Sequence, residues 1–307
     1  ALIHNGECFE WDGDATNATA TRATIITGAP TASRDMLVST PDRHLVFFGT
    51  ETTIGTKTSQ DDMFIRFSSQ ENIHAYTPTA ENSAGTQRLA AGSRIMGAKL
   101  GRNALYVWTD TALFTMRFVG TPFTFAFEQV GTNCGCIGQN ALTYSNGEVY
   151  WMSSEGGFFK FDGTVKYIPC LVEDFVFTTN GDHLGLNYTS GPLVYSEHNN
   201  LYNEINWFYP KNGSSQIDRC VTYNYAENLF TTSSLARSTW SDSHIFGKPH
   251  ATEYDSDATS DTTVGNTDGV TIYYEHETGV NQIKAGAATA ISASIESGDF
   301  DISATQG

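Results

Sequence analysis

The feature that most constrains this chain is one unit written again and again without a long helix between copies. Each unit is a short aromatic-rich strand, a Gly, Asn or Asp turn, and a second aromatic-rich strand. Leu105-Tyr106-Val107-Trp108 turns at Thr109-Asp110 into Leu113-Phe114-Thr115-Met116-Arg117-Phe118. Val149-Tyr150-Trp151-Met152 turns through Ser153-Ser154-Glu155-Gly156-Gly157 into Phe158-Phe159-Lys160-Phe161. Hairpins of this size bury too little surface alone and must stack on their neighbours. The pattern therefore predicts an all-β fold, a β-propeller of about six blades, in one domain over residues 1–307.

The units can be walked along the chain. Cys8-Phe9-Glu10-Trp11 predicts a strand pair turned by Asp12-Gly13-Asp14, and a Thr/Ala-rich stretch leads on to Ile25-Ile26. His44–Gly49 and Met63–Phe67 predict the strands where the propeller cadence begins. Residues 72–92 are polar and Ala-rich and predict a loop excursion between blades. Further units are expected over Ile95–Val130, Ile137–Ile168, Leu193–Phe230 and Ser238–Tyr274, a spacing of about 40 residues, as in propeller blades. Within the first of these, Phe123-Thr124-Phe125-Ala126-Phe127-Glu128 alternates strictly and predicts three rings on one strand face. Residues 252–268 predict a second, exposed loop excursion.

Thirty-four acidic against seventeen basic residues give a formal charge of −17, which disfavours non-specific adhesion to nucleic acid or an anionic membrane. No run of 18 apolar residues offers a membrane-spanning helix. Ala1–Gly6 has neither the basic start nor the apolar core of a signal peptide, and the chain is expected to be a processed or partial product. Cys8, Cys134, Cys136, Cys170 and Cys220 are odd in number, which predicts reduced thiols. Cys134 and Cys136 have the wrong spacing for a CxxC motif and read as small buried apolar residues on one side of an extended segment. Asn17, Asn187 and Asn212 head glycosylation sequons of the kind short polar turns produce by chance.

Four sets of residues are candidates for chemistry. Asp255, Asp257 and Asp261 are spaced as oxygen ligands for calcium, but without the loop glycine and terminal Glu of an EF-hand they read, with Asp268, as solvated loop acids. Glu275 and Glu277 flank His276 and would share a strand face as a glycosidase-like pair, against the plainer reading of a polar strand end. His4, His44, His74, His183, His198, His244, His250 and His276 form no compact ligand motif. Trp207, Tyr209 and Trp240 are candidates for sugar stacking, each read first as packing. GxSxG, Walker and Rossmann patterns do not occur, and Gly156-Gly157 reads as a hairpin turn. No catalytic, cofactor-binding or metal residue is assigned, and the expectation is a chain that is no enzyme and needs no cofactor.

Several segments resemble a family of bacteriophage tail structural proteins, the short-tail nozzle or tubular β-propeller type. They are Ile65-Arg66-Phe67-Ser68-Ser69-Gln70-Glu71-Asn72, Asn82-Ser83-Ala84-Gly85-Thr86-Gln87-Arg88-Leu89, Trp108-Thr109-Asp110-Thr111-Ala112-Leu113, Gly147-Glu148-Val149-Tyr150-Trp151-Met152 and Ile295-Glu296-Ser297-Gly298-Asp299-Phe300-Asp301. The resemblance implies a virion component, assembled in the host cytoplasm, that forms a homo-oligomeric ring. Its implied partners are further copies, other tail proteins such as adaptor and fibres, and viral DNA that passes without specific binding. In the family the last of these segments resembles the opening of another strand pair. Here either the fold continues beyond residue 307 or Ile291–Ile302 completes the ring against the N-terminal segment. The alternative from another class is a β-propeller carbohydrate-active enzyme or sugar-binding module.

Overall fold

A computed structural model describes residues 1–11, 13, 22–102, 104–243, 245–255, 270–284 and 287–294. The chain divides into two compact units, Ala1–Ser238 and Thr239–Gly307. The protein is all-β, with a propeller-like succession of antiparallel sheets.

In the first unit a short pair, β1 (Phe9–Glu10) and β2 (Thr24–Ile25), precedes four four-stranded meanders. Sheet I runs β3 (Asp35–Ser39), β4 (His44–Phe48), β5 (Phe64–Phe67) and β6 (Gly85–Arg88). Sheet II runs β7 (Ile95–Leu100), β8 (Leu105–Thr109), β9 (Ala112–Gly120) and β10 (Thr124–Thr132). Sheet III runs β11 (Leu142–Ser145), β12 (Glu148–Met152), β13 (Phe158–Phe161) and β14 (Val165–Ile168). A single-turn helix, α1 (Glu173–Phe177), then leads toward sheet IV, made of β15 (Tyr195–Asn199), β16 (Glu204–Tyr209), β17 (Arg219–Asn224) and β18 (Leu229–Ser233). Each strand pairs with its sequence neighbour, so short turns suffice.

Turn chemistry sets the registers. Asn146 and Gly147 both take positive φ between the paired Ser145 and Glu148, the two-residue hairpin geometry that an Asn-Gly dipeptide adopts most easily. The predicted units at 95–130, 137–168 and 193–230 correspond to sheets II, III and IV.

The first strands of successive sheets lie against one another, β3 on β7, β7 on β11 and β11 on β15, as inner strands do around a propeller axis. The second strands carry the core. β4 and the last five residues of β16 are buried throughout, as expected of strands covered on both faces. At the fourth position of each second strand stands a wholly buried ring: Phe47, Trp108, Trp151 and Trp207. The three indoles bridge sheets, while Phe47 packs on Tyr76 at 5.6 Å. Trp108 meets Trp151 edge-on at 5.5 Å between centroids, and Trp207 meets Phe158 at 4.8 Å. One core cluster joins part of sheet II to sheets III and IV, another joins sheets I and II, and a third ties the N-terminal pair to sheet I.

Trp151 and Phe159 are register partners with rings stacked 5.7 Å apart, as the alternation of the hairpin requires. Four local expectations need correction. The 252–268 excursion does not begin as loop, because Thr252–Asp255 belong to a strand, His250–Asp255, paired with Val270–Glu275, so Asp255 is a strand residue; the remainder, 256–268, lies outside the described residues. The 72–92 excursion is not wholly loop, because Gly85–Arg88 is the edge strand of sheet I. Phe123 does not join Phe125 and Phe127 on the strand face: it precedes β10, it is 77 % exposed, and the next residue, Thr124, has φ +58. Phe9–Glu10 pairs with Thr24–Ile25 and not across the turn at Asp12-Gly13-Asp14.

The second unit contains a three-stranded sheet, β19 (Thr239–Ser241), β20 (His250–Asp255) and β21 (Val270–Glu275), and a separate pair, β22 (Asn281–Lys284) and β23 (Ala287–Ala290). The predicted unit at 238–274 corresponds to its sheet. Among the described residues no helix is long and apolar enough to cross a membrane.

Candidate functional site

Two constellations in the first unit go beyond plain core packing. One is the connection of residues 169–194 between sheets III and IV, the longest between any two of the four sheets. Its single-turn helix buries only Val176. Leu171, at 99 % exposure, and Phe175, Leu184, Tyr188 and Leu193 leave large apolar surface in water, and Tyr167 of the adjoining edge strand does the same. The segment is nevertheless tied down. Leu186 N–H donates to the Val176 carbonyl, the Tyr167 hydroxyl donates to Glu173, and Phe175 packs on His183 at 4.1 Å. Asn187 accepts from Thr189 N–H and donates to Ser190 and to the Ser214 carbonyl, so its sequon side chain is engaged in holding this connection to sheet IV. An ordered segment that exposes this much apolar area has the character of a contact surface.

The other is a buried polar chain in sheet I. Ser83 Oγ lies 3.1 Å from His44 Nε2, His44 Nδ1 lies 2.8 Å from Asp42 Oδ2, and the Ser39 hydroxyl donates to the other Asp42 oxygen. The order hydroxyl, imidazole, carboxylate is that of a nucleophilic triad. Its surroundings are those of a clamp. The His44 ring is fully buried, with Phe67, Phe118 and Phe125 at 5.1 to 6.3 Å, and Ser83 Oγ already accepts the Gln70 N–H at 2.8 Å. With the Nδ1–H donating to Asp42, Nε2 is the acceptor for Ser83, and every polar atom of the chain is satisfied. The set fastens the β3–β4 turn to the segment entering β6. Thr124 Oγ1, donating to the Ser83 carbonyl at 3.0 Å, extends the tie to sheet II.

The sequence candidates fall as follows. Trp207 and Tyr209 are buried, with Trp207 Nε1 donating to the Ala141 carbonyl at 3.2 Å, so neither presents a face to a sugar. Trp240 is half-buried and packs on His276 at 4.5 Å. Glu275 ends β21 and Glu277 has φ +60, so the strand alternation that would align the two carboxylates stops before the second. Gly156 and Gly157, at φ +93 and +90, make the hairpin turn. All five cysteines are free thiols. Burial pushes Cys134 up to about 11 and Cys136 up to about 12, values at which neither is a thiolate nucleophile or ready ligand at neutral pH. Among the described residues no group of three His, Cys, Asp or Glu is arranged to hold a metal ion. Asn17, His244, Asp257, Asp261, Asp268 and the segment 295–301 lie outside the described residues. Sequence reading missed the clamp because its members span residues 39 to 83. The one local signal was Ser39-Thr40-Pro41-Asp42, a turn sequence whose acid is followed closely by His44.

Neither a protein-family model nor a curated protein matches this chain. Solved structures do match. The AfRom2 CNH domain is 8 % identical over 80 % of this chain and 72 % of its own length, with TM-score 0.44. A variant of Synechocystis apocarotenoid oxygenase is 10 % identical over 90 % of this chain, which spans 63 % of that protein, with TM-score 0.38. An apocarotenoid oxygenase/RPE65 chimera is 10 % identical over 89 % of this chain and 62 % of its own length, with TM-score 0.30. These likenesses are of fold level and carry no residue role to this chain. They correct the expectation that the chain is no enzyme, since proteins titled oxygenases are among the matches.

Proposed function

We propose that this protein is a structural subunit of a bacteriophage tail, of the nozzle or tubular type, which assembles with identical copies into a ring through which viral DNA passes. The observation that carries the reading is the ordered 169–194 connection with its exposed Leu171, Phe175, Leu184, Tyr188 and Leu193, a surface suited to burial against another subunit. The formal charge of −17 supports the conduit. A ring multiplies each subunit's charge, and a negative lumen repels phosphate and lets a duplex slide. The segments of phage-tail resemblance supply the kind of particle.

Native mass spectrometry and negative-stain imaging test the reading. A closed homo-oligomer is expected, and Leu171→Glu with Phe175→Glu should reduce it to smaller species while the circular dichroism of the fold is unchanged. A wild-type chain that stays monomeric at micromolar concentration, or a ring whose lumen is lined mainly by Lys and Arg, overturns it.

A further inference from the structure

Where the inner ends of the sheets meet, a cavity of about 130 Å³ opens, with Arg34, Asp35, Arg94 and Gln139 in its walls and His4 and Pro192 beside them. Its residues come from the N-terminal segment, from the approach to β3, from the approach to β7, and from the entries to sheets III and IV. The place is the axial end of the inner strands, where propellers have room between blades. In a chain with twice as many acids as bases, this pocket gathers two of the seventeen Lys and Arg residues and a histidine.

The charges in it are unequal in availability. Arg34 is oriented by Asp62 through Nε to Oδ1 at 2.7 Å and Nη2 to Oδ2 at 2.6 Å, which fixes the plane of the guanidinium and leaves Nη1 unengaged by any described residue. The Arg94 side chain is exposed and makes no hydrogen bond or ion pair with any described residue. His4 Nδ1 lies 3.1 Å from the Arg34 carbonyl and donates to it, so its open Nε2 is an acceptor in the neutral ring and donates only in the imidazolium. Asp35 is the one acid in the lining. Burial raises it above the usual carboxylate range against the pull of hydrogen bonds from Met36, Gln139 and Ala98, so its negative charge is the costly one here. With Asp62 offsetting Arg34, the cation left without a partner among the described residues at this cavity is Arg94.

We propose that this axial cavity is a binding site for a small oxyanion, a phosphate or a carboxylate group, held by Arg94 with the open edge of Arg34. Two guanidinium groups offer the planar paired donors that such oxygens match. The volume, equal to about four waters at roughly 30 Å³ each, admits one anionic group and not a drug-sized ligand. The site rests on none of the residues assigned above to subunit contact, so it stands or falls independently of the ring.

The test uses the full chain and two probes, inorganic phosphate and acetate, titrated at constant ionic strength set with sodium chloride while amide and Arg Nε–H resonances are followed by NMR. Saturable shifts confined to residues 4, 34–35, 94–96 and 138–139 are expected, with affinity reduced about tenfold or more in Arg94→Gln, the loss of one charged hydrogen-bonding partner. Because Arg94 is exposed and unpaired, the variant should keep the wild-type melting temperature. Tighter binding of phosphate assigns the site to tetrahedral anions, and equal or tighter binding of acetate assigns it to carboxylates. Shifts that chloride alone reproduces, or affinity unchanged in Arg94→Gln, overturn the proposal.

Discussion

Sheets III and IV and sheets I and II meet the same requirement by different means. In sheets III and IV the ring at the fourth position of the second strand is an indole that hydrogen-bonds backward along the chain. Trp151 Nε1 donates to the Cys134 carbonyl at 2.8 Å, and Trp207 Nε1 donates to the Ala141 carbonyl at 3.2 Å. Each indole thus packs between sheets and also pins the segment leading into sheet III, Trp151 from within that sheet and Trp207 from the neighbouring sheet IV. Sheet I has Phe47 there, which has nothing to donate, and sheet II has Trp108, whose Nε1 is buried without a partner among the described residues. On that side the pinning falls to polar side chains: the Ser39, Asp42, His44 and Ser83 chain, the pair Arg34–Asp62, and the turn acids Asp61 and Asp110. Sheets III and IV have ion pairs of their own, Lys160–Glu148, Lys166–Asp162 and Lys211–Asp218, but their second strands are pinned by packing with a hydrogen bond attached, and those of sheets I and II by hydrogen bonds to carboxylates. The two should respond differently to mutation and to acid.

The largest effect expected is in the indole region. Trp151→Ala removes a wholly buried ring that touches Trp108 and Phe159 and strands the Cys134 carbonyl. The cost should be about 3 to 5 kcal/mol, read from urea unfolding followed by circular dichroism. A loss below about 1 kcal/mol would break the comparison at its root, because it would mean that the ring contributes little to joining sheets II and III.

A second effect tests the polar region. His44→Ala leaves Asp42 in the core without its strongest partner, and breaking such a buried set costs about 3 kcal/mol. Ser83→Ala removes only the end of the chain and should cost about 1 kcal/mol. Hydrogen exchange decides whether the clamp is local. Protection should fall first in β3, β4 and the segment entering β6, while β12 and β16 keep theirs. Equal loss in all four sheets would show that the two regions unfold as one unit and that the distinction between them has no energetic consequence.

The unequal legibility of the two regions has the same origin. Sheet III could be read directly, because Tyr150-Trp151-Met152, Asn146-Gly147 and Gly156-Gly157 state strand, turn and turn within a few residues. Sheet I was half legible. His44–Phe48 announces itself by apolar content, but β6, Gly85-Thr86-Gln87-Arg88, has no apolar pattern. It is an edge strand paired on one side, with Thr86, Gln87 and Arg88 exposed, so its backbone and not its side chains makes it a strand. Phe123 failed for the opposite reason: its ring fits the alternation, but the chain reverses at Thr124, and backbone conformation overrides pattern. The clamp and the axial cavity draw on residues 39 to 83 and 4 to 192, and separations of that order leave no local periodicity to read.

The smallest effect expected is with acid, and it sharpens the comparison most. Asp61 and Asp110 occupy the connections between second and third strands in sheets I and II. Burial alone would raise both. Hydrogen bonds from Arg88 at 2.6 Å and Met63 N–H at 2.9 Å, with the charge of Arg88, bring Asp61 below the usual carboxylate range, and the Ser93 hydroxyl and N–H do the same for Asp110. A folded-state value below the unfolded one, about 3.9 for Asp, means that the stabilisation is fully present above that pH and is lost as pH falls through the folded value. Sheet III carries Ser153 in the matching connection, its hydroxyl accepting the Glu155 N–H at 3.2 Å, and a hydroxyl does not titrate in this range. Hydrogen exchange compared at pH 5 and at about pH 3 should therefore show β5, β6, β8 and β9 losing protection relative to β12, with β13 left out of the reference because the Lys166 hydrogen bond also holds the adjoining Asp162 below the usual carboxylate range. Both carboxylates are partly solvated, so the difference is small. Its sign is what matters: if sheet III loosened first, ionisation would not be what holds the polar region together.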